Sequence, residues 1–128
     1  MTKTSSPLVM VVDDELQMRN VLRRVLENER YRVITAPDGE TALQLTKEQK
    51  PELMLLDLMM PGIDGREVCR RVREFSSKTK IIYLTAKIAS DPPALKELRS
   101  ESDAFITKPA TSKQILSKVS SVLAGAHQ

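Results

Sequence analysis

Three observations predict an α/β protein built on a parallel five-stranded sheet with helices on both faces. Apolar runs and amphipathic stretches alternate five times along the 128 residues. Three of the runs are apolar at nearly every position, as strands buried on both faces are. Acids, a threonine and a lysine stand directly after the runs instead of being scattered along the chain. Strands alternating with helices imply right-handed crossovers and a three-layer (βα)5 architecture.

The first run, Leu8-Val9-Met10-Val11-Val12, is short, β-branched and followed by acids, and reads as a buried strand. From Glu15 to about Asn28, Met18, Val21, Leu22, Val25 and Leu26 recur at helical spacing and are expected inside. Tyr31 to Ala36 alternates, with Tyr31, Val33 and Thr35 on one face and Arg32 on the other, as an edge strand does. Pro37-Asp38-Gly39 ends it, and Asp38 can cap a helix through Ala42 and Leu45 to about Glu48. Pro51 opens the third unit, whose strand Leu53-Met54-Leu55-Leu56 runs to Asp57. Two tight turns, Pro61-Gly62 and Asp64-Gly65, lead into a helix with Val68, Val72 and Phe75 expected inside. Ile81 to Leu84 forms the fourth strand. Asp91-Pro92-Pro93, an acidic cap followed by proline, predicts a short fourth helix from Ala94 to about Arg99. Ala104 to Thr107 is the fifth strand. Thr111 or Ser112 then caps a last helix with Ile115, Leu116, Val119, Val122 and Leu123 inside.

Runs one, three and four are the most apolar and belong at the centre, whereas runs two and five admit polar residues and belong at the edges. The order 2-1-3-4-5, that of flavodoxin-like sheets, satisfies this. A chain of this length fits one domain, 1–128, with its core at about 8–123. No run approaches the roughly 20 apolar residues that span a bilayer, and Met1 to Pro7 lacks the apolar stretch of a signal peptide. A single cysteine, Cys69, excludes an internal disulfide. A cytoplasmic protein without a membrane role is expected. The excess of 20 Lys and Arg over 17 Asp and Glu is too small to indicate nucleic acid.

Polar residues fall at the strand ends. Asp13 and Asp14 follow the first strand, Asp57 ends the third, and Thr85 and Lys108 follow the fourth and fifth. Open parallel sheets bind ligands outside these carboxyl ends, near the switch in strand order. Three carboxylates meeting there raise one another's pKa unless a cation intervenes. Mg²⁺ (or Mn²⁺) suits a few carboxylates plus phosphate oxygens. Lys108 supplies a mobile positive charge and Thr85 a hydroxyl. An ionised aspartate can attack phosphorus without a general base. The set is complete for phosphoryl transfer.

These residues resemble the response-regulator receiver family of two-component signalling. Val11-Val12-Asp13-Asp14-Glu15 is similar to its first motif and Leu55 to Gly65 to its phosphoacceptor motif, while Leu84-Thr85-Ala86 and Thr107-Lys108-Pro109 match the other two. The resemblance implies that Asp57 accepts a phosphoryl group from a histidine kinase or phosphotransfer protein, or from acetyl phosphate. It implies Mg²⁺ bound by Asp14, Asp57 and the Met59 carbonyl, with Asp13 acting through water. Thr85, the Ala86 amide and Lys108 would hold phosphoryl oxygens. Phe105 would be a switch aromatic that swings inward as Thr85 moves, and Lys108-Pro109 matches a bond usually cis in the family. Partners would dock on the fourth and fifth helices and fifth strand; the downstream target is unknown.

This chain departs from the family pattern at several places. Ser100-Glu101-Ser102-Asp103 lacks the glycine the family often has there, and Ala110 replaces a common phenylalanine. Met59 and Lys87 stand at two positions that tune dephosphorylation, and a bulky Met59 is expected to hinder water attack and prolong the phosphorylated state.

Each residue also has a plainer reading. Asp13-Asp14 alone is an ordinary helix cap, Asp57 a strand end, Thr85 a structural hydroxyl and Lys108 a surface charge; only their convergence favours chemistry. Phe105 could simply cover core. Arg66, Arg70 and Arg73 form one helical stripe flanked by Glu67 and Glu74, which reads as a solvated face, and Cys69 reads as packing. His127, in the tail, is no ligand. A dehalogenase-type phosphohydrolase would carry its nucleophile after the first strand. A flavin carrier would need a hydroxyl-rich phosphate cradle there. A degenerate receiver that only docks proteins would have lost an acid or the lysine.

Overall fold

A computed structural model describes residues 6–86, 96 and 100–125. In chain order the elements are β1 (Leu8–Val12), α1 (Leu16–Asn28), β2 (Arg32–Ala36), α2 (Gly39–Gln49), β3 (Leu53–Asp57), α3 (Gly65–Phe75), β4 (Lys80–Thr85), β5 (Ala104–Thr107) and, numbering described helices only, α4 (Ser112–Leu123). The predicted fourth helix at Ala94 to Arg99 lies outside the described residues, apart from a helical Lys96. So do Lys87 and His127. The strands form one parallel sheet in the order β2-β1-β3-β4-β5, as the apolar pattern requires.

Strand alternation divides the core into two halves. Met10, Val12, Met54, Leu56, Ile81 and Tyr83 point to the face covered by α2 and α3. Val9, Val11, Leu53, Leu55, Ile82 and Leu84 point to the face covered by α1 and α4. Every residue of β1 and β3 is buried, while β2 and β5 are exposed in part, which matches central and edge positions. The caps hold the crossovers in place. Asp38 accepts from the Thr41 amide (2.8 Å) and Asp64 from the Glu67 amide (3.0 Å), and Thr111 and Gln114 form a reciprocal capping box.

Two expectations are corrected. Val21 is 54% exposed, because only Leu22 and Leu26 of α1 reach the sheet fully. Phe75, the last residue of α3, is exposed and lies under the Lys47 ammonium, 5.1 Å from its ring centre. The arginine stripe of α3 is solvated as expected at Arg66 and Arg70, and it also pairs across the fold, Arg66 with Glu101 and Arg73 with Asp103 (3.0 Å), both ahead of β5.

Candidate functional site

All the strand-end residues meet at the carboxyl rim of the sheet. Asp13 leaves β1 and is 1% exposed; its Oδ1 accepts from the Glu15 amide (2.9 Å), and its carbonyl accepts from Arg19 (2.7 Å). Asp14 beside it is exposed. Asp57 ends β3 at 6% exposure, and its Oδ1 accepts from the Met59 amide (3.1 Å). One carboxylate oxygen from each of Asp13, Asp14 and Asp57 lies within 4.8 Å of the others.

Lys108 approaches from the end of β5. Its Nζ is 3.3 Å from Asp13 and 3.9 Å from Asp57, so in this state it leans toward Asp13. Its amide donates to the Thr85 carbonyl (2.7 Å), which ties the fourth and fifth strand ends together, and the bond to Pro109 is cis. Thr85 is buried at the tip of β4 and Ala86 after it is exposed. Phe105 is half-buried against the α2/α3 side of the core. Met59 stands 75% exposed beside Asp57.

One positioning residue escaped the sequence reading. A Cβ on Gly65 would lie 2.6 Å from the Asp57 carbonyl oxygen and 2.9 Å from the Leu58 Cα, both backbone atoms. The α3 N-terminus can therefore seat on the end of β3 only with glycine there. The Asp64-Gly65 turn signal was visible, but not this close approach.

Burial raises the Asp57 carboxyl above its ordinary value, against the lowering effects of the Met59 amide and Lys108; Asp13 and Asp14 raise it further. Among the described residues, Lys108 reaches two of the three carboxylates, the buried Asp13 and Asp57, and all donors are hard oxygens. This set fits a small divalent cation.

A family model described as the response regulator receiver domain matches residues 9–120. The chain belongs to that family. The receiver is 39% identical over 128 residues to the transcriptional regulatory protein ResD of Bacillus subtilis (strain 168), covering all of this chain and 52% of that protein. It spans about half the length of the curated relatives it matches. Among solved structures it is similar to chemotaxis protein CheY4 of Vibrio cholerae (TM-score 0.85, 26% identity, 91% of this chain and 98% of that one). It is also similar to response regulator TrrA of Thermotoga maritima in complex with Mg²⁺-BeF (TM-score 0.79, 33% identity, 91% and 98%). The receiver is thus a module of two-component signalling. Among the described residues no helix is long and apolar enough to cross a membrane.

Proposed function

We propose that this receiver is a phosphoacceptor switch whose acceptor is Asp57. The observation that carries the reading is a buried Asp57 carboxylate with two further carboxylates within 4.8 Å and Lys108 in reach of the same pocket. An Asp57 oxygen attacks the phosphorus of a kinase phosphohistidine or of acetyl phosphate. A P–O bond to Asp57 forms, the bond to the donor breaks, and the leaving group departs with its electron pair. A carboxylate nucleophile supplies its own attacking electron pair, so Asp57 needs no base. Lys108 is placed to shift from Asp13 toward the incoming oxygens, and Thr85 and the Ala86 amide to donate to them. Mg²⁺ (or Mn²⁺), bound through Asp14, Asp57, the Met59 carbonyl and, by way of water, Asp13, would neutralise charge on the transferring group.

The product is a changed surface, not a released molecule, so the protein is no stand-alone enzyme. Phosphorylation is the charge event, and the Thr85 and Phe105 rearrangement the two-state element it biases. We read residues 1–128 as one receiver domain in the cytoplasm, taking phosphoryl groups from a histidine kinase or phosphotransfer protein and acting through protein contacts. The names of its longer relatives, transcriptional regulatory proteins, suggest transcription control as the eventual output.

Incubation with acetyl phosphate and Mg²⁺, followed by intact mass, tests the reading. One phosphoryl group is expected on the wild type and none on Asp57→Asn. No adduct from acetyl phosphate or from kinases would leave only the protein-docking role.

A further inference from the structure

A second polar cluster lies away from the acidic rim, on the α2/α3 face. Tyr83 of β4 is fully buried, and its hydroxyl donates to Oε1 of Glu101 (3.0 Å). The same carboxylate takes both forks of the Arg66 guanidinium, Nε at 3.0 Å on Oε1 and Nη2 on Oε2. The Glu101 carbonyl accepts from Arg73 (3.3 Å) and from the Cys69 thiol (3.5 Å). Two residues on, the Asp103 carboxylate accepts from Arg73 (3.0 Å) and from the Ile81 amide (2.8 Å). The segment ahead of β5 is thus fastened to both α3 and β4.

Its position matters to the switch. Tyr83 is in register with Phe105, and Thr85 with Thr107. Residues two apart on a strand share a face, so Tyr83 and Thr85 look the same way. Phe105 is half-buried against the core half to which Tyr83 belongs. Deeper insertion of Phe105 therefore needs the Tyr83 ring to yield, and that ring is held at its far end by Glu101. A groove of about 700 Å³, lined in part by Arg66, Cys69, Tyr83 and Glu101, offers room for such movement. The donor and acceptor are fixed in kind: burial pushes the Tyr83 hydroxyl above its ordinary value, and Arg66 holds the Glu101 carboxyl below its own.

We propose that Glu101 is a positioning residue for the switch: clamped by Arg66, its carboxylate ties down Tyr83 and holds Phe105 in its half-inserted place until Asp57 is phosphorylated. The inference rests on the phosphoacceptor reading of Asp57. Loosening one state of a two-state element raises the population of the other, and a reaction run by the minor state speeds up in proportion.

Glu101→Gln weakens the clamp at constant shape, and Tyr83→Phe removes the hydroxyl but keeps the ring. Arg66→Met, at an exposed position of α3, releases the clamp without touching the core, should a core variant not fold. The measurement is the initial rate of acetyl phosphate labelling in Mg²⁺, read by intact mass, beside the melting temperature. Each variant is expected to label about three- to tenfold faster. The Glu101→Gln/Tyr83→Phe double variant should gain little more, because both act on one contact. A merely structural cluster would lower the melting temperature and leave the rate unchanged or slower, and that result overturns the proposal. Labelled wild type with unaccelerated variants removes this proposal alone. Unlabelled wild type removes the phosphoacceptor reading and this proposal with it.

Discussion

At the carboxyl rim Lys108 reaches Asp13 and Asp57 while a third carboxylate, Asp14, stands beside them, whereas along α3 the charges come in matched sets. Arg66 faces Glu101, Arg70 faces Glu67 and Glu74, Arg71 faces Glu67, and Arg73 faces Asp103. Both regions lie on the same fold and both are rich in acid. They differ in compensation and in burial, since Asp13 and Asp57 are almost inaccessible while most of the α3 pairs are wet. A buried carboxylate without enough positive charge costs stability, and a fold carries that cost where chemistry needs it. Matched pairs at a surface contribute little and shape the exterior.

The sharpest way to break this contrast is to remove the charge of Asp57. Because its carboxyl is raised in the folded state, the native protein binds more protons than the unfolded chain between the two pKa values. Stability from this group therefore falls as pH rises from the ordinary carboxylate range through the folded value, with the full penalty present above that value. Asp57→Asn should lose all phosphoryl labelling yet melt higher than wild type at pH 7, with the gap closing at low pH. Added Mg²⁺ should raise the wild-type melting temperature and leave the variant nearly unmoved. A variant that melts lower at pH 7 would show that Asp57 is compensated after all.

The next largest effect tests whether the rim depends on backbone fit as well as charge. Gly65→Ala sets a methyl against the Asp57 carbonyl and the Leu58 Cα, neither of which can rotate away. Overpacking of this kind costs about 1–3 kcal/mol. Chemical denaturation should show that loss, and the labelling rate should fall as the acceptor strand end shifts. Full stability in Gly65→Ala would mean the α3 N-terminus is free to slide.

How much of this was legible beforehand follows the same division. The sheet order could be read because burial on two faces writes itself as continuous apolar runs, as in Val9 to Val12 and Leu53 to Leu56. Asp13, Asp14, Asp57, Thr85 and Lys108 could be gathered because strand ends in a parallel sheet converge whatever the loops do. The Arg66–Glu101 clamp could not, since the two residues are 35 apart and nothing local joins them. Periodicity placed Val21 and Phe75 on roughly the right side of their helices, but it does not say where cover by the sheet stops. Gly65 looked like a turn residue because a close approach leaves no mark in a single sequence.

A smaller effect concerns an exposed hydrophobic neighbour of the rim. Met59, 75% exposed beside Asp57, is expected to hinder the approach of water without contributing charge. Met59→Asn replaces that hindrance with a side chain that can orient water, so loss of the phosphoryl group should accelerate several-fold at unchanged melting temperature. Equal half-lives for the two proteins, followed by intact mass after donor removal, would count against Met59 as the shield.

The smallest effect belongs to the matched side. Arg70 pairs with Glu67 and Glu74, but its guanidinium stays in water, and Glu67 keeps a second partner in Arg71 (2.8 Å) when Arg70 is gone. Water and salt screen what remains, and freeing a long side chain returns entropy that the pair had held. Arg70→Ala should therefore leave the melting temperature and the labelling rate where they were, at low and at high salt. A clear loss in either would mean that the α3 charges act as one network and not as separate pairs, and that the outer face contributes to the switch. Because Arg66 lies one turn away on the same stripe, running the two substitutions side by side separates the exposed pairs from the Glu101 clamp. The rate should respond to Arg66→Met and not to Arg70→Ala.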